Sequence, residues 1–330
     1  MENYKKDKKL DIHDKKILYE LDINSRASAA AIAKHIRLSK ETVNFRIKRL
    51  LKRGNIKYFY SFINASHLGY QYYKIFFKFN KITAETERKI IDYLRNEKSC
   101  ANLRVMEGAY DLCFVAMHRS PSGLKEFLSG FYNNFGSYLM QKSMHTIIAS
   151  HKLNQKILFP GKTVKSTLYH GKTGNYSLDK IDLQIIKKLS TQARIRLIDL
   201  ARVIKEDPKV IRYHIKKLEK EGIIVGYFTA LSLARLNREF IQLDISLRNP
   251  KSVKSIIEFF DKTNSCIFAY ELLGRYDLSL ELYAKNDKEL RKIMAQFKEK
   301  FLEDYIFYDL SHIYREFIIN WSPFDAYNAQ

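Results

Sequence analysis

Apolar residues recur three or four apart in three short blocks near the amino terminus, Ile17/Leu18/Leu21, Ile32/Ala33/Ile36 and Val43/Ile47/Leu50/Leu51, with polar residues between them. This spacing puts one apolar stripe on each of three helices. Gly54 suits the left-handed residue that closes a helix, and the β-branched and aromatic run 56–63 behind it predicts a strand. The pattern then returns. A shift of 168 positions superimposes Leu10, Asp11 and Asp14 on Leu178, Asp179 and Asp182, and across residues 10–61 it gives 14 identities in 52 positions without a gap. The matching blocks are Ile185/Ile186/Leu189, Leu200/Ala201/Ile204 and Ile211/Ile215/Leu218, followed by Gly222 and a strand over 223–231. Helix starts are marked by Asp11 or Asp14, by Ser39, and by Asp207 ahead of Pro208.

Behind each copy the pattern changes to strand, helix, strand, strand, helix, strand. In the first half these fall at 71–80, 84–96, 100–107, 110–118, 121–135 and 138–153; in the second at 239–247, 250–262, 266–273, 276–283, 287–301 and 305–319. A βαββαβ order predicts an antiparallel four-stranded sheet with both helices on one face. A Gly-x-Tyr-Asp turn joins the middle strands of each: Gly108, Tyr110 and Asp111, then Gly274, Tyr276 and Asp277. The chain therefore divides into a basic tail (1–9), a first helix-turn-helix unit (10–63), a first ferredoxin-like unit (64–154), a polar linker (155–177), a second helix-turn-helix unit (178–231), a second ferredoxin-like unit (232–320) and a tail (321–330). The fold class is α+β.

Composition adds a partner. In 330 residues, Lys and Arg outnumber Asp and Glu by 58 to 36, a net charge of +22, which attracts a polyanion. The excess falls partly on the helical units, with 16 basic against 7 acidic residues over 1–60 and 12 against 7 over 178–228. Double-stranded DNA is the partner this predicts. Cys100, Cys113 and Cys266 have no C-x-x-C spacing and sit in apolar strands, so buried thiols in a reducing cytoplasm are expected, without disulfide or metal. No apolar run approaches a membrane span, and no zinc-protease, P-loop or nucleophile-elbow motif is present. No cofactor, no membrane association and no enzymatic activity are expected. His118, His145 and His312 fall in strands, where a packed side chain is the ordinary role.

The ordered series resembles two tandem copies of the Lrp/AsnC family, the feast/famine regulators of bacteria and archaea, over nearly the whole chain. The likeness is carried by Leu-Asp-x-x-Asp with an Ile-Leu helix, by 26–33 and 194–201, and by the Leu-Ser-x-x-Thr-Val-x-x-Arg run at 38–50. The second copy departs at Glu206-Asp207-Pro208 and carries His214 where the family has arginine. The resemblance implies duplicated winged helix-turn-helix units with ferredoxin-like effector domains of RAM/AsnC type that pair back to back. It also implies a small-molecule effector such as an amino acid, bound near Gly108, Tyr110, Asp111, Gly274, Tyr276 and Asp277. The tyrosines either line that pocket or pack, and the aspartates either bind ligand or cap the turn.

A helix of about three turns fits the major groove. With Val43, Ile47 and Leu50 buried, helix three presents Ser39, Lys40, Thr42, Asn44, Phe45, Arg46, Lys48 and Arg49; Asn44 suits adenine, Phe45 a thymine methyl and the cations the backbone. The second copy presents Lys209, Arg212, Tyr213, His214, Lys216 and Lys217. Arg26 and Arg194 recur before the second helix, where phosphate contact and a structural hydrogen bond are both open. Fusion predicts an intrachain pseudo-dimer with unequal recognition helices, able to assemble further into a homo-oligomer. Two other functions fit the pattern. One is a sirohaem decarboxylase, since those enzymes also resemble paired Lrp/AsnC units; the other is a sensor or interaction module with weakened DNA binding.

Overall fold

The computed structural model describes residues 10–153, 158, 167–170 and 173–324. The first unit comprises α1 (Ile12–Ile23), α2 (Ala29–Ile36), α3 (Lys40–Lys52) and β1 (Ile56–Ile63). Each helix starts on a side-chain cap that satisfies an otherwise orphaned N–H: Asp11 accepts from the N–H of Asp14, Ser28 from Ala31 and Ser39 from Thr42. The three apolar stripes meet in one core of Ile17, Leu21, Ile32, Val43, Ile47 and Leu50. Gly54 closes α3 at φ +70°.

The chain continues through β2 (Gln71–Phe79), α4 (Ala84–Asn96), β3 (Cys100–Gly108), β4 (Leu112–His118), α5 (Pro121–Phe135), β5 (Leu139–Lys152) and β6 (Thr167–His170). The second copy then supplies α6 (Lys180–Thr191), α7 (Leu197–Ile204), α8 (Pro208–Lys220) and β7 (Ile224–Leu231). It ends with β8 (Glu239–Leu247), α9 (Val253–Lys262), β9 (Cys266–Leu273), β10 (Leu278–Ala284), α10 (Asp287–Lys300) and β11 (Tyr305–Ile319).

Within each ferredoxin-like unit the strands run β5-β2-β4-β3 and β11-β8-β10-β9. The resemblance led us to expect the two sheets back to back; the structure joins them edge to edge. β3 pairs with β11 and β9 with β5, all antiparallel, closing an eight-stranded barrel. Closure gives every edge strand a partner and removes the exposed backbone of two open sheets. Helices α4 and α5 cover one half from outside, burying Ile90, Leu94 and Phe131 against Ile75, Phe77 and Phe114. On the other half α9 and α10 bury Ile256, Phe260 and Phe297 against Leu243 and Leu280.

Alternation along the strands turns the opposite residues inward, and several of these are charged. Lys74 lies 2.8 Å from Ser279 Oγ and 3.2 Å from Gln242 Oε1, beneath the Tyr270 ring. Ser279 donates to Asp244 at 2.5 Å. Arg104 of β3 makes a two-pronged pair with Glu281 of β10, at 2.5 and 2.9 Å, and reaches Glu316 of β11 at 2.9 Å. Burial works against the charge on Arg104, but the two carboxylates outweigh it and hold the guanidinium protonated.

Two interior groups titrate in opposite senses. Burial pushes the His145 imidazole down to about 4, with Lys74 and Arg275 adding to the effect. It pushes the Asp244 carboxyl up to about 6 against the pull of Lys74. For His145, both folded and unfolded chains are neutral above the ordinary value of 6.5; below it the unfolded chain protonates first, so stability is lost between 6.5 and about 4. For Asp244, the folded chain keeps a proton that the unfolded chain has released, so stability is gained as pH falls from about 6 towards 3.8. In the wild type the two offset. Replacing His145 with Gln should leave only the gain: relative to wild type, the variant should become more stable by up to about 3 kcal/mol between pH 6.5 and 4. Chemical denaturation at successive pH values measures this, and a pH-independent difference would refute it.

Two segments differ from expectation. The linker is not uniformly irregular, because β6 pairs antiparallel with the end of β5 and Leu158 is buried in the first helical core. The expected tail at 321 is not a tail at its start: Trp321 is 4% exposed and packs on Phe62 and Tyr72. The tails 1–9 and 325–330 and the remainder of the linker up to residue 172 lie outside the described residues.

Candidate nucleic-acid interface

The strand that follows each helix-turn-helix pairs not within its own unit but with its counterpart, β1 against β7, antiparallel. Around that ribbon the contacts are reciprocal. The N–H of Ser25 donates to Tyr227 O and the N–H of Ala193 to Phe59 O. Ser61 Oγ donates to Leu189 O and Thr229 Oγ1 to Leu21 O. These eight residues form four pairs 168 positions apart, so the two units face one another about a local two-fold axis.

Arg26 and Arg194 belong to this axis. Arg26 donates to the carbonyls of Ala193 and Ile195 and lies over the Tyr227 ring; Arg194 donates to those of Ser25 and Ala27 and lies over Phe59. Of the two roles left open for them, the structural one is realised: both guanidinium groups are half-buried and committed to the opposite unit rather than offered to a phosphate.

Helices α3 and α8 are each strapped to the first helix of their own unit. In the first, Asp14 is buried and accepts from Arg46 at 2.8 Å and from Arg49 at 2.7 Å, while Arg46 also reaches Asp11 at 2.7 Å. In the second, buried Asp182 takes His214 at 2.7 Å and Lys217 at 3.0 Å. Four of the residues expected on the DNA face are thereby corrected: Arg46, Arg49, His214 and Lys217 spend their polar groups on the strap. The repeated Leu-Asp-x-x-Asp motif was the available signal for it, since the buried second aspartate needs a cation. Asp179, Asp182 and His214 have ligand atoms within 4.8 Å of one another. Lys217 Nζ lies 3.0 Å from Asp182 and 3.6 Å from Asp179, and the first unit pairs the equivalent aspartates with arginine, so the cluster is read as an ion-pair strap in both copies.

With the strap accounted for, a smaller set remains free. On α3, Lys40, Asn44, Phe45 and Lys48 are exposed, Phe45 to 64%. On α8 they are Lys209, Arg212, Tyr213 and Lys216, Tyr213 to 65%. Ser39 caps α3, with its hydroxyl 2.9 Å from that of Thr42, and both stand at the end of the helix that carries Lys40. Exposed aromatic rings among cations are costly on a surface that faces only water.

The tyrosines and aspartates of the two Gly-x-Tyr-Asp turns are engaged by neighbours within the protein. Tyr110 and Tyr276 are fully buried with their phenol oxygens 3.3 Å apart, and Tyr276 donates to Asp309 at 2.6 Å. Asp111 accepts from Phe79 N–H and pairs with Lys78; Asp277 accepts from Leu247 N–H. The glycines are explained by approach of the opposite unit. A Cβ on Gly108, at φ +138°, would lie 2.4 Å from Leu310 O, and one on Gly274 2.7 Å from the His145 ring. The turn holds the barrel seam, and neither of two cavities, of about 450 and 580 Å³, is lined by any of these six residues. The three cysteines are buried thiols, and no helix among the described residues is long and apolar enough to cross a membrane.

Residues 10–51 match the AsnC-type helix-turn-helix domain and residues 178–225 a winged helix-turn-helix DNA-binding domain. The HTH-type transcriptional regulator Ptr1 of Methanocaldococcus jannaschii is 31% identical over 119 residues, 36% of this chain and 80% of that protein. The leucine-responsive regulatory protein of Haemophilus influenzae is 28% identical over 132 residues, 38% of this chain and 76% of its own. The chain belongs to the Lrp/AsnC family of transcriptional regulators. Each of these Lrp/AsnC relatives matches little more than a third of it, as a duplicated chain requires. Its full length has the fold of a different protein, the siroheme decarboxylase NirDL, with a TM-score of 0.62, 12% identity and 94% of each chain covered. At that identity the likeness concerns the fold alone.

Proposed function

We propose that the chain binds double-stranded DNA sequence-specifically, inserting α3 and α8 into the major groove at two successive half-sites. The observation that carries this reading is the pairing of two strapped helices about one axis, each with two or more cations and one aromatic ring free on its outer face. On α3, Asn44 reads a base edge, Phe45 contacts a thymine methyl and Lys40 and Lys48 hold phosphates; on α8, Arg212 reads, Tyr213 packs and Lys209 and Lys216 hold. Because both helices share one chain, pairing does not depend on protein concentration. A small-molecule effector, amino acid-like by family, regulates the complex, and copies of the chain assemble further through the barrel.

The test is the salt dependence of affinity for duplexes drawn from the organism's own promoters. Four phosphate-holding lysines predict a log affinity that falls linearly with log salt, with a slope near −3.6 at roughly −0.9 per contact. A flat response would overturn the reading and favour a sensor that no longer binds DNA. A tetrapyrrole decarboxylase is a second reading, favoured by the full-length fold shared with NirDL. Added sirohaem shifts its Soret band if that reading holds and leaves the spectrum unchanged if it does not.

A further inference from the structure

The duplication is also broken beside the β1 ribbon. Trp321, beyond the last strand, wedges its indole against Phe62 at 4.8 Å and Tyr72 at 6.1 Å, filling the cleft between the β1 ribbon and the barrel. The residues 168 positions on from these two are Ala230 and Phe240. Both line the cavity of about 450 Å³ on the other side of the axis, between β7, β1 and the mouth of the barrel. A methyl group thus stands where the first cleft has a benzyl group, and ring-sized space is open beside Phe240.

The walls of this cavity say what would fill it. Tyr60, Phe240 and Phe268 supply flat apolar surface. Its buried floor is Arg104 and Glu281, already neutralised against each other, and Glu316 is held by Arg104 with Lys57 3.8 Å away; of the cavity's other two arginines, Arg238 donates to Asn237 O and Arg315 lies over the Phe317 ring. Glu239 differs: it lines the same cavity, and its Oε2 is shielded from solvent with no hydrogen-bond partner among the described residues. A carboxylate oxygen in that state calls for a donor, best a charged one.

We propose that this cavity binds an aromatic amine, a planar ring system of about indole size carrying a protonated nitrogen. The ring lies against Phe240 and Phe268 in the space left by Ala230, and the ammonium donates to Glu239. The chain's own Trp321 shows the ring-binding half of the arrangement in the companion cleft. This inference goes beyond DNA binding and does not require it.

Calorimetric titration of the full chain with tryptamine, indole and indole-3-acetate provides the test. Tryptamine should bind at least tenfold more tightly than indole, and indole-3-acetate more weakly still, because it brings a carboxylate to Glu239. Glu239→Gln should lower tryptamine affinity at least tenfold while leaving indole unchanged, and Ala230→Phe, which refills the ring space, should abolish binding of both. Trp321 is the sole tryptophan, so its emission without ligand reports whether each variant is folded; should Ala230→Phe misfold, Glu239→Gln decides. No heat from tryptamine, tighter binding of indole-3-acetate, or an undiminished response in folded Glu239→Gln would each overturn the proposal.

Discussion

Replacing Lys48 and Lys216 together with alanine should lower affinity for every duplex, by roughly ten- to a hundredfold at low salt, and reduce the slope of log affinity against log salt by about 1.8, at about 0.9 per lost phosphate contact. These two lysines stand at the same position of the repeat and both are exposed. Loss of a phosphate contact removes no sequence information, so preferred and random sites should weaken alike. Asn44 and Arg212 should behave differently. They also share a repeat position and are both exposed, but an amide pairs two-pronged with adenine and a guanidinium with guanine. Asn44→Ala and Arg212→Ala should each cost about 1–3 kcal/mol on the preferred site and little on random DNA. A selection experiment should return adenine in one half-site where the other has guanine, an imperfect palindrome. Equal losses on preferred and random sequences would show that neither side chain reads a base.

The largest effect on stability should come from Arg104→Met. Its guanidinium joins β3 of the first unit to Glu281 and Glu316 of the second, and all three are buried or nearly so. Removing the cation leaves two carboxylates facing each other inside the barrel, and breaking a buried pair in this way costs about 3–5 kcal/mol. Equilibrium denaturation in urea, followed by far-ultraviolet circular dichroism, measures it. Replacing Glu281 and Glu316 with Leu in the same chain should restore most of the loss, since an apolar substitute for a buried triad is often no less stable. A loss under about 1 kcal/mol for Arg104→Met alone would mean that water reaches the carboxylates.

The straps explain why sequence reasoning selected too many DNA contacts. Helical periodicity identifies which residues lie off the apolar stripe, and Arg46 and Arg49 do. It does not say that a buried aspartate, 32 and 35 residues earlier, claims them. The same holds for His214, which differs from the family pattern yet takes over Arg46's place on Asp182, so the departure concerns the strap more than the readout.

What the sequence determined by itself was local and repetitive: three capped helices and a strand, then βαββαβ, twice. Apolar spacing, caps and glycines act over a few residues, and the observed bounds of α4, α5, β8, β9 and β11 agree with the patterns at both ends. The pairing of the halves was decided only in three dimensions. β1 joins β7, and β3 joins β11, through backbone groups that carry no side-chain signature. The charges of Lys74, Arg104, Asp244 and Glu281 are tolerable indoors only because strands remote in the chain deliver their partners. Nor does a glycine in a turn announce that a carbonyl from the other half will pass 2.4 Å from its missing Cβ. Local free energy sets the elements; the need to satisfy edges and buried charges sets how they close.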